Sequence, residues 1–109
     1  MSFTYLHVVK EDPFDWIEAF YEIDPSNKIT RMVTVEIDGT SVANSVAILS
    51  HRSGAFADAV YGGGPKCIFF GGFPKPQDYD EYWSRKGCTF EAMKPVEFQR
   101  RFMAAKVEF

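Results

Sequence analysis

KITRMVTVEIDGTSVANSVAIL, residues 28–49, decides how the fold is read. Ile29, Met32, Val33, Val35 and Ile37 are apolar, while Thr30, Thr34 and Glu36 fall on the opposite face of its outer half. Strands that fit a half-buried pleated surface are rich in such β-branched residues. Asp38-Gly39 follows, a pair whose backbone twist matches the right-handed twist of flanking strands. The stretch therefore predicts a strand over 28–38, a tight turn, and an antiparallel return strand over 40–49.

Upstream, YLHVVK (5–10) alternates Tyr5, His7 and Val9 on one face with Leu6 and Val8 on the other. Apolar residues on both faces predict a strand covered on both sides. Glu11-Asp12-Pro13 ends it, because proline removes a donor and pushes the preceding residue toward extended geometry. Residues 14–24 (FDWIEAFYEID) fit either a helix or a strand. Phe14, Ile17, Phe20 and Tyr21 recur at helical spacing, and the strand alternation is imperfect. Asp24-Pro25-Ser26-Asn27 is a turn.

Downstream, His51-Arg52-Ser53-Gly54 reads as a turn and residues 55–61 as a short helix or strand. Gly62-Gly63-Gly64-Pro65 reads as a loop, and Cys67–Phe70 as a short buried strand ended by Gly71-Gly72. Pro74 and Pro76 lead into a two-turn helix over 77–84, and a strand follows over 89–93. Pro95 opens a last helix, since a first-turn proline loses no bond. Phe98, Phe102 and Ala105, flanked by Val96 and Met103, give it one apolar face. The expected class is α+β: an antiparallel sheet of four to five strands with the C-terminal amphipathic helix packed on one face.

A chain of 109 residues makes one domain, with room for a single core. Apolar residues are 46% of it, enough to offset the entropy of ordering. The net charge of −3 argues against nucleic acid, which requires a basic stripe to neutralise phosphates. The charge is uneven: residues 1–24 hold six acids and one base, and residues 82–109 hold six bases and three acids. Three readings fit: attraction between the two ends across the fold, plain solvated faces, or an acidic surface that meets a basic partner. No basic region followed by a long apolar run opens the chain, and the apolar run around 42–49 is far short of the about twenty residues that span a membrane. The expectation is a cytoplasmic protein, off the membrane, with Cys67 and Cys88 as reduced thiols.

Few residues carry chemistry. The glycines at 62–64 lack the spacing and the following helix of a phosphate loop. His7 and His51 are 44 residues apart and Cys67 and Cys88 are 21 apart, without the close pairs that hold zinc, so neither a metal nor another cofactor is expected. His7 reads as a satisfied packing residue. His51 beside Ser50, Ser53 or Asp58 is a chance triad without a strained elbow. Asp78 and Asp80, two apart, point to different sides of a helix. The remaining set is aromatic: Trp16, Tyr79, Tyr82 and Trp83, with Tyr21, lie among Asp15, Glu18, Glu22, Asp78, Asp80 and Glu81. Exposed, they form a protein-binding patch of Asp15, Trp16, Glu18, Glu22, Tyr79, Tyr82 and Trp83 that suits a basic protein. Turned inward, the aromatics are ordinary core.

The segments 5–40, FPKPQDYD (73–80) and FEAMKPVEFQRRF (90–102) together resemble an uncharacterised family of small bacterial and phage domains. The likeness rests on Tyr21-Glu22-Ile23-Asp24, on Arg31, Val33, Val35, Asp38 and Gly39, on Pro74 and Pro76, and on Phe90, Glu91, Glu97 and Phe98. It covers about two thirds of the chain. It implies that 14–24 is extended, and it implies no assigned activity. Two features depart from it. Lys94-Pro95 stand where the helix cap is expected, leaving Glu97 without a capping-box partner, and residues 41–72 look unlike the family.

Three functional readings follow. The first is a non-catalytic inhibitor or immunity-type protein that neutralises a partner, such as a toxin or defence factor. The second is a small-molecule or nucleotide binder, or a minimal enzyme, using His51, Arg52 and Lys66 in the 51–72 loop. The third is a structural, homo-oligomeric accessory domain.

Overall fold

The computed structural model describes residues 2–13, 16–45 and 73–107. Strands β1 (Thr4–Lys10), β2 (Trp16–Ile23), β3 (Ile29–Glu36) and β4 (Ser41–Ser45) run as a meander. A 3₁₀ turn (Pro76–Asp78), α1 (Tyr79–Arg85), β5 (Cys88–Ala92) and α2 (Pro95–Ala104) follow. The five strands form one antiparallel sheet in the order β4-β3-β2-β1-β5. The expected class is observed. The expected turn, helix and strand positions within 46–72 lie outside the described residues.

β2 is the strand that periodicity left open. It lies between β1 and β3, and five consecutive residues, Ala19 to Ile23, are buried. A strand covered on both faces shows an apolar run rather than alternation, so its pattern mimics a helix. Ala19, Tyr21 and Ile23 join Leu6, Val8, Met32, Phe73, Tyr79, Trp83 and Cys88 under α1. Phe20 turns the other way and joins Val33 and Phe98 under α2, with Tyr5, Val35 and Phe102 around them. The sheet thus has a helix on each face.

The turns follow their residues. Asp24 Oδ1 accepts the amides of Ser26 and Lys28, both at 2.9 Å. Asn27 takes the left-handed conformation (φ 63°), and its side-chain amide donates to the Phe73 and Pro74 carbonyls. At the next turn Gly39 has φ 90°, and Asp38 Oδ1 accepts the Thr40 amide. β3 ends at Glu36, so Ile37 lies in the turn, 53% exposed, rather than on the apolar face of a strand.

α2 starts at Pro95 without a side-chain cap, as Lys94-Pro95 implies. Phe98 is fully buried and Phe102 half-buried, but Val96 and Met103 are exposed. The apolar stripe is therefore narrower than expected. After α2 the chain turns back to β4: Lys106 donates its amide to the Ser41 carbonyl and accepts from the Ala43 amide, both at 2.8 Å. This parallel bridge closes the outer edge of β4 at Ser41–Ala43.

Candidate protein-interaction site at the β5 edge

The structure does not gather the aromatic and acidic residues into one exposed patch. Tyr79 and Trp83 are buried in the core under α1, where Trp83 lies 6.0 Å from the Tyr21 ring and Tyr79 packs edge-on against Phe90. Burial pushes the Tyr79 hydroxyl up from its ordinary value. Their expected exposure is corrected: α1 turns Tyr79 and Trp83 inward and Asp80 and Glu81 outward, as an amphipathic helix does. Tyr82 is half-buried against Trp83, with the Lys86 ammonium 5.0 Å from its ring. Trp16 is half-buried, with the Lys10 ammonium 5.2 Å from its ring. Asp15, His51, Arg52 and Lys66 lie outside the described residues.

Glu22 is also corrected, because it is buried. Its carboxylate accepts from Arg31 Nε and Nη2 (2.8 and 2.7 Å), from Thr30 Oγ1 (2.7 Å) and from the Tyr5 hydroxyl (2.9 Å). The paired guanidinium holds this carboxyl below the usual range against the opposing effect of burial. Burial, then the acceptor Glu22, push the Tyr5 hydroxyl up. The Arg31 guanidinium in turn lies 5.2 Å from the Phe98 ring and 4.6 Å from Phe102. The network fastens α2 to the sheet, and every acceptor of Glu22 has a use inside the fold.

Glu18 meets a different partner. Its Oε2 is 2.6 Å from His7 Nε2, and Glu91 Oε1 is 3.3 Å from His7 Nδ1. The imidazole stacks on Phe20, with ring centres 4.5 Å apart. His7 is thus packed and satisfied, as expected, and in addition it bridges carboxylates on β2 and β5. An imidazolium donates to both, whereas the neutral ring donates to one. The charge imbalance between the two ends is resolved partly within each half, through Glu22–Arg31 and Glu81–Arg85.

β5 is the strand that sequence reasoning placed but whose position it did not specify. The pairs His7–Glu91 and Val9–Thr89, with Glu11 donating to the Gly87 carbonyl and Met93 to the Tyr5 carbonyl, set the ladder. Antiparallel strands alternate bonding and non-bonding positions. Gly87, Thr89, Glu91 and Met93 thus turn their backbone groups to β1. The amides and carbonyls of Cys88, Phe90 and Ala92 point away from the sheet, and among the described residues they meet no backbone partner.

A hollow lies on each side of this edge. Toward α1, a cleft of about 420 Å³ is lined by Glu11, Asp80, Ser84, Gly87, Cys88, Thr89 and Phe90. Toward the other face, a hollow of about 250 Å³ is lined by His7, Val9, Thr89, Phe90 and Glu91. Cys88 gives the cleft no nucleophile: it is buried, and desolvation pushes its thiol up, away from the reactive thiolate. No three metal-ligating side chains gather among the described residues, and no described helix is long and apolar enough to cross a membrane. Comparison with protein-family models, curated proteins and solved structures returns no match.

Proposed function

We propose that this chain is a non-catalytic protein-binding module that accepts an extended segment of another protein along β5. One observation carries the reading: the β4 edge is closed by the chain's own Lys106, whereas the three outward positions of β5 meet no backbone partner among the described residues. An open edge strand is a template for pairing, and soluble proteins usually blunt it with lysine, proline or a covering segment. β5 (CTFEA) contains neither lysine nor proline. In strand addition the backbone bonds supply affinity and hollows for alternate side chains supply specificity. The outward backbone groups of β5 and the hollows beside it support this reading.

In its finer form the reading is inhibition of the immunity type. A strand held along β5 is withdrawn from whatever work it does in its own protein, so a one-to-one complex neutralises the partner.

The test uses Ala92→Pro. The Ala92 amide faces outward, so the substitution removes a donor that the fold does not use, and edge strands tolerate proline at such positions. Tagged wild-type and variant chains are used for capture from the native lysate, and the retained protein is then titrated in purified form. The expected result is a stoichiometric partner whose affinity falls by about tenfold or more in the variant, the loss of roughly one backbone bond plus the proline clash. The same titration checks inhibition by following the partner's own activity. A partner held equally well by both chains overturns the reading.

A further inference from the structure

We infer that the segment accepted by β5 is basic, with lysine or arginine at alternate positions; this rests on the strand-addition reading above. An added strand lies about 4.8 Å beyond β5 and sends successive side chains to opposite faces. On the α1 side they enter the cleft lined by Glu11, Asp80 and Ser84. On the other side they reach the hollow that carries Glu91 beside His7. Glu91 is 74% exposed at its side chain, and its single contact to His7, at 3.3 Å, leaves lone pairs for a second donor. Three acidic residues thus line the two hollows, and among the described residues no lysine or arginine lines either. The Lys10 and Lys86 ammonium groups are each held over an aromatic ring.

The same charges argue against the other occupants. A second copy paired through β5 brings a second Glu11, Asp80 and Glu91 to the same edge, and like charges across an interface oppose association. An acidic strand meets the same opposition. A neutral strand gains the backbone bonds but leaves the carboxylates unanswered.

The experiment uses three fluorescein-labelled ten-residue peptides in which threonine alternates with lysine, with glutamine or with glutamate. Anisotropy is followed against the wild-type chain, Ala92→Pro and the double variant Asp80→Asn/Glu91→Gln, at low and high salt. The lysine peptide is expected to bind about tenfold more tightly than the glutamine peptide at low salt, with a preference that shrinks in high salt and in the double variant. In Ala92→Pro its binding is expected to be lost. Equal binding of the lysine and glutamine peptides, still lost in Ala92→Pro, overturns the basic partner and leaves strand addition standing. No binding by any peptide, or binding that Ala92→Pro does not change, overturns strand addition itself and the function built on it. Sedimentation of the free chain covers the remaining occupant: a dimer that Ala92→Pro dissolves makes a second copy the occupant and overturns the inference.

Discussion

The two edges of this sheet face the same physical problem and meet it differently. At β4, the residues after α2 return and bond Lys106 to Ser41 and Ala43. At β5, Cys88, Phe90 and Ala92 turn outward amides and carbonyls that meet no backbone partner among the described residues, between two hollows. The closed edge depends on a long chain of support. Glu22 holds Arg31, Arg31 lies over Phe98 and Phe102, and these rings seat α2, whose end delivers Lys106. The open edge rests on its ladder to β1 and on the packing of Cys88 and Phe90 under the neighbouring α1. Closure is thus a tertiary achievement that substitutions far from β4 undo, whereas openness is local and survives them.

The largest effect follows from removing the seat of α2. Phe98 is fully buried between Tyr5, Phe102 and the sheet. Phe98→Ala is expected to cost about 3–5 kcal/mol in urea unfolding. Hydrogen exchange at the Ala43 amide is expected to accelerate more than exchange at Thr89, whose amide faces β1. Equal acceleration at both sites breaks the proposed dependence of the closed edge on α2.

Next comes Arg31→Ala, which leaves the Glu22 carboxylate buried without its cation, at an expected cost of about 2–3 kcal/mol for a partly exposed pair. The pH dependence has a definite sign. Because the fold depresses the Glu22 pKa, its contribution is present above the ordinary carboxylate range and is lost as pH falls through the folded value. Glu22→Gln is therefore expected to flatten the acid limb of a stability-against-pH curve. An unchanged acid limb shows that the pair does not stabilise the clamp.

Deleting residues 105–109 removes the two Lys106 backbone bonds and is expected to cost about 1–3 kcal/mol. The truncated chain gains a second open edge, so it is expected to self-associate at concentrations where the full chain keeps a constant mass in sedimentation. An unaltered mass sharpens the comparison the other way, by showing that β4 is protected without the tail.

The smallest effect lies at the open edge. Thr89 is exposed and its side chain stands beside Glu91. Thr89→Lys is expected to change stability by less than about 0.5 kcal/mol. It places a cation among the lining carboxylates, so it is expected to weaken binding of the lysine peptide while leaving the melting curve in place. A large stability loss shows that β5 is more tightly covered than its exposure indicates.

Much of the fold was legible from short-range patterns. The hairpin at Asp38-Gly39, the turn at Asp24–Asn27, and the helices after Pro76 and Pro95 all announce themselves through residues with particular backbone preferences. β2 was not legible by periodicity, because burial on both faces erases alternation; the family likeness, not the pattern, favoured the strand. The candidate site was hardly legible. Tyr79 and Trp83 look the same in sequence whether they face solvent or core, and Glu22 looks the same as Glu18. What separates them is the helix or strand that covers each one. A signal for the edge was present in β5, a short strand between Gly87 and Pro95, but strand brevity alone does not distinguish an edge from a centre.

The sequence by itself determined, β2 apart, which of the described segments are extended and which helical, where the main turns fall, and that the class is α+β, because those properties arise between neighbours a few residues apart. Only the tertiary structure decided that β5 pairs with β1, so that His7 meets a glutamate 84 residues away, that Lys106 closes β4, and that the β5 edge is left open among the described residues. The reason is physical: a strand's backbone asks for a partner wherever it is, and which partner answers depends on segments that chain connectivity alone does not bring together.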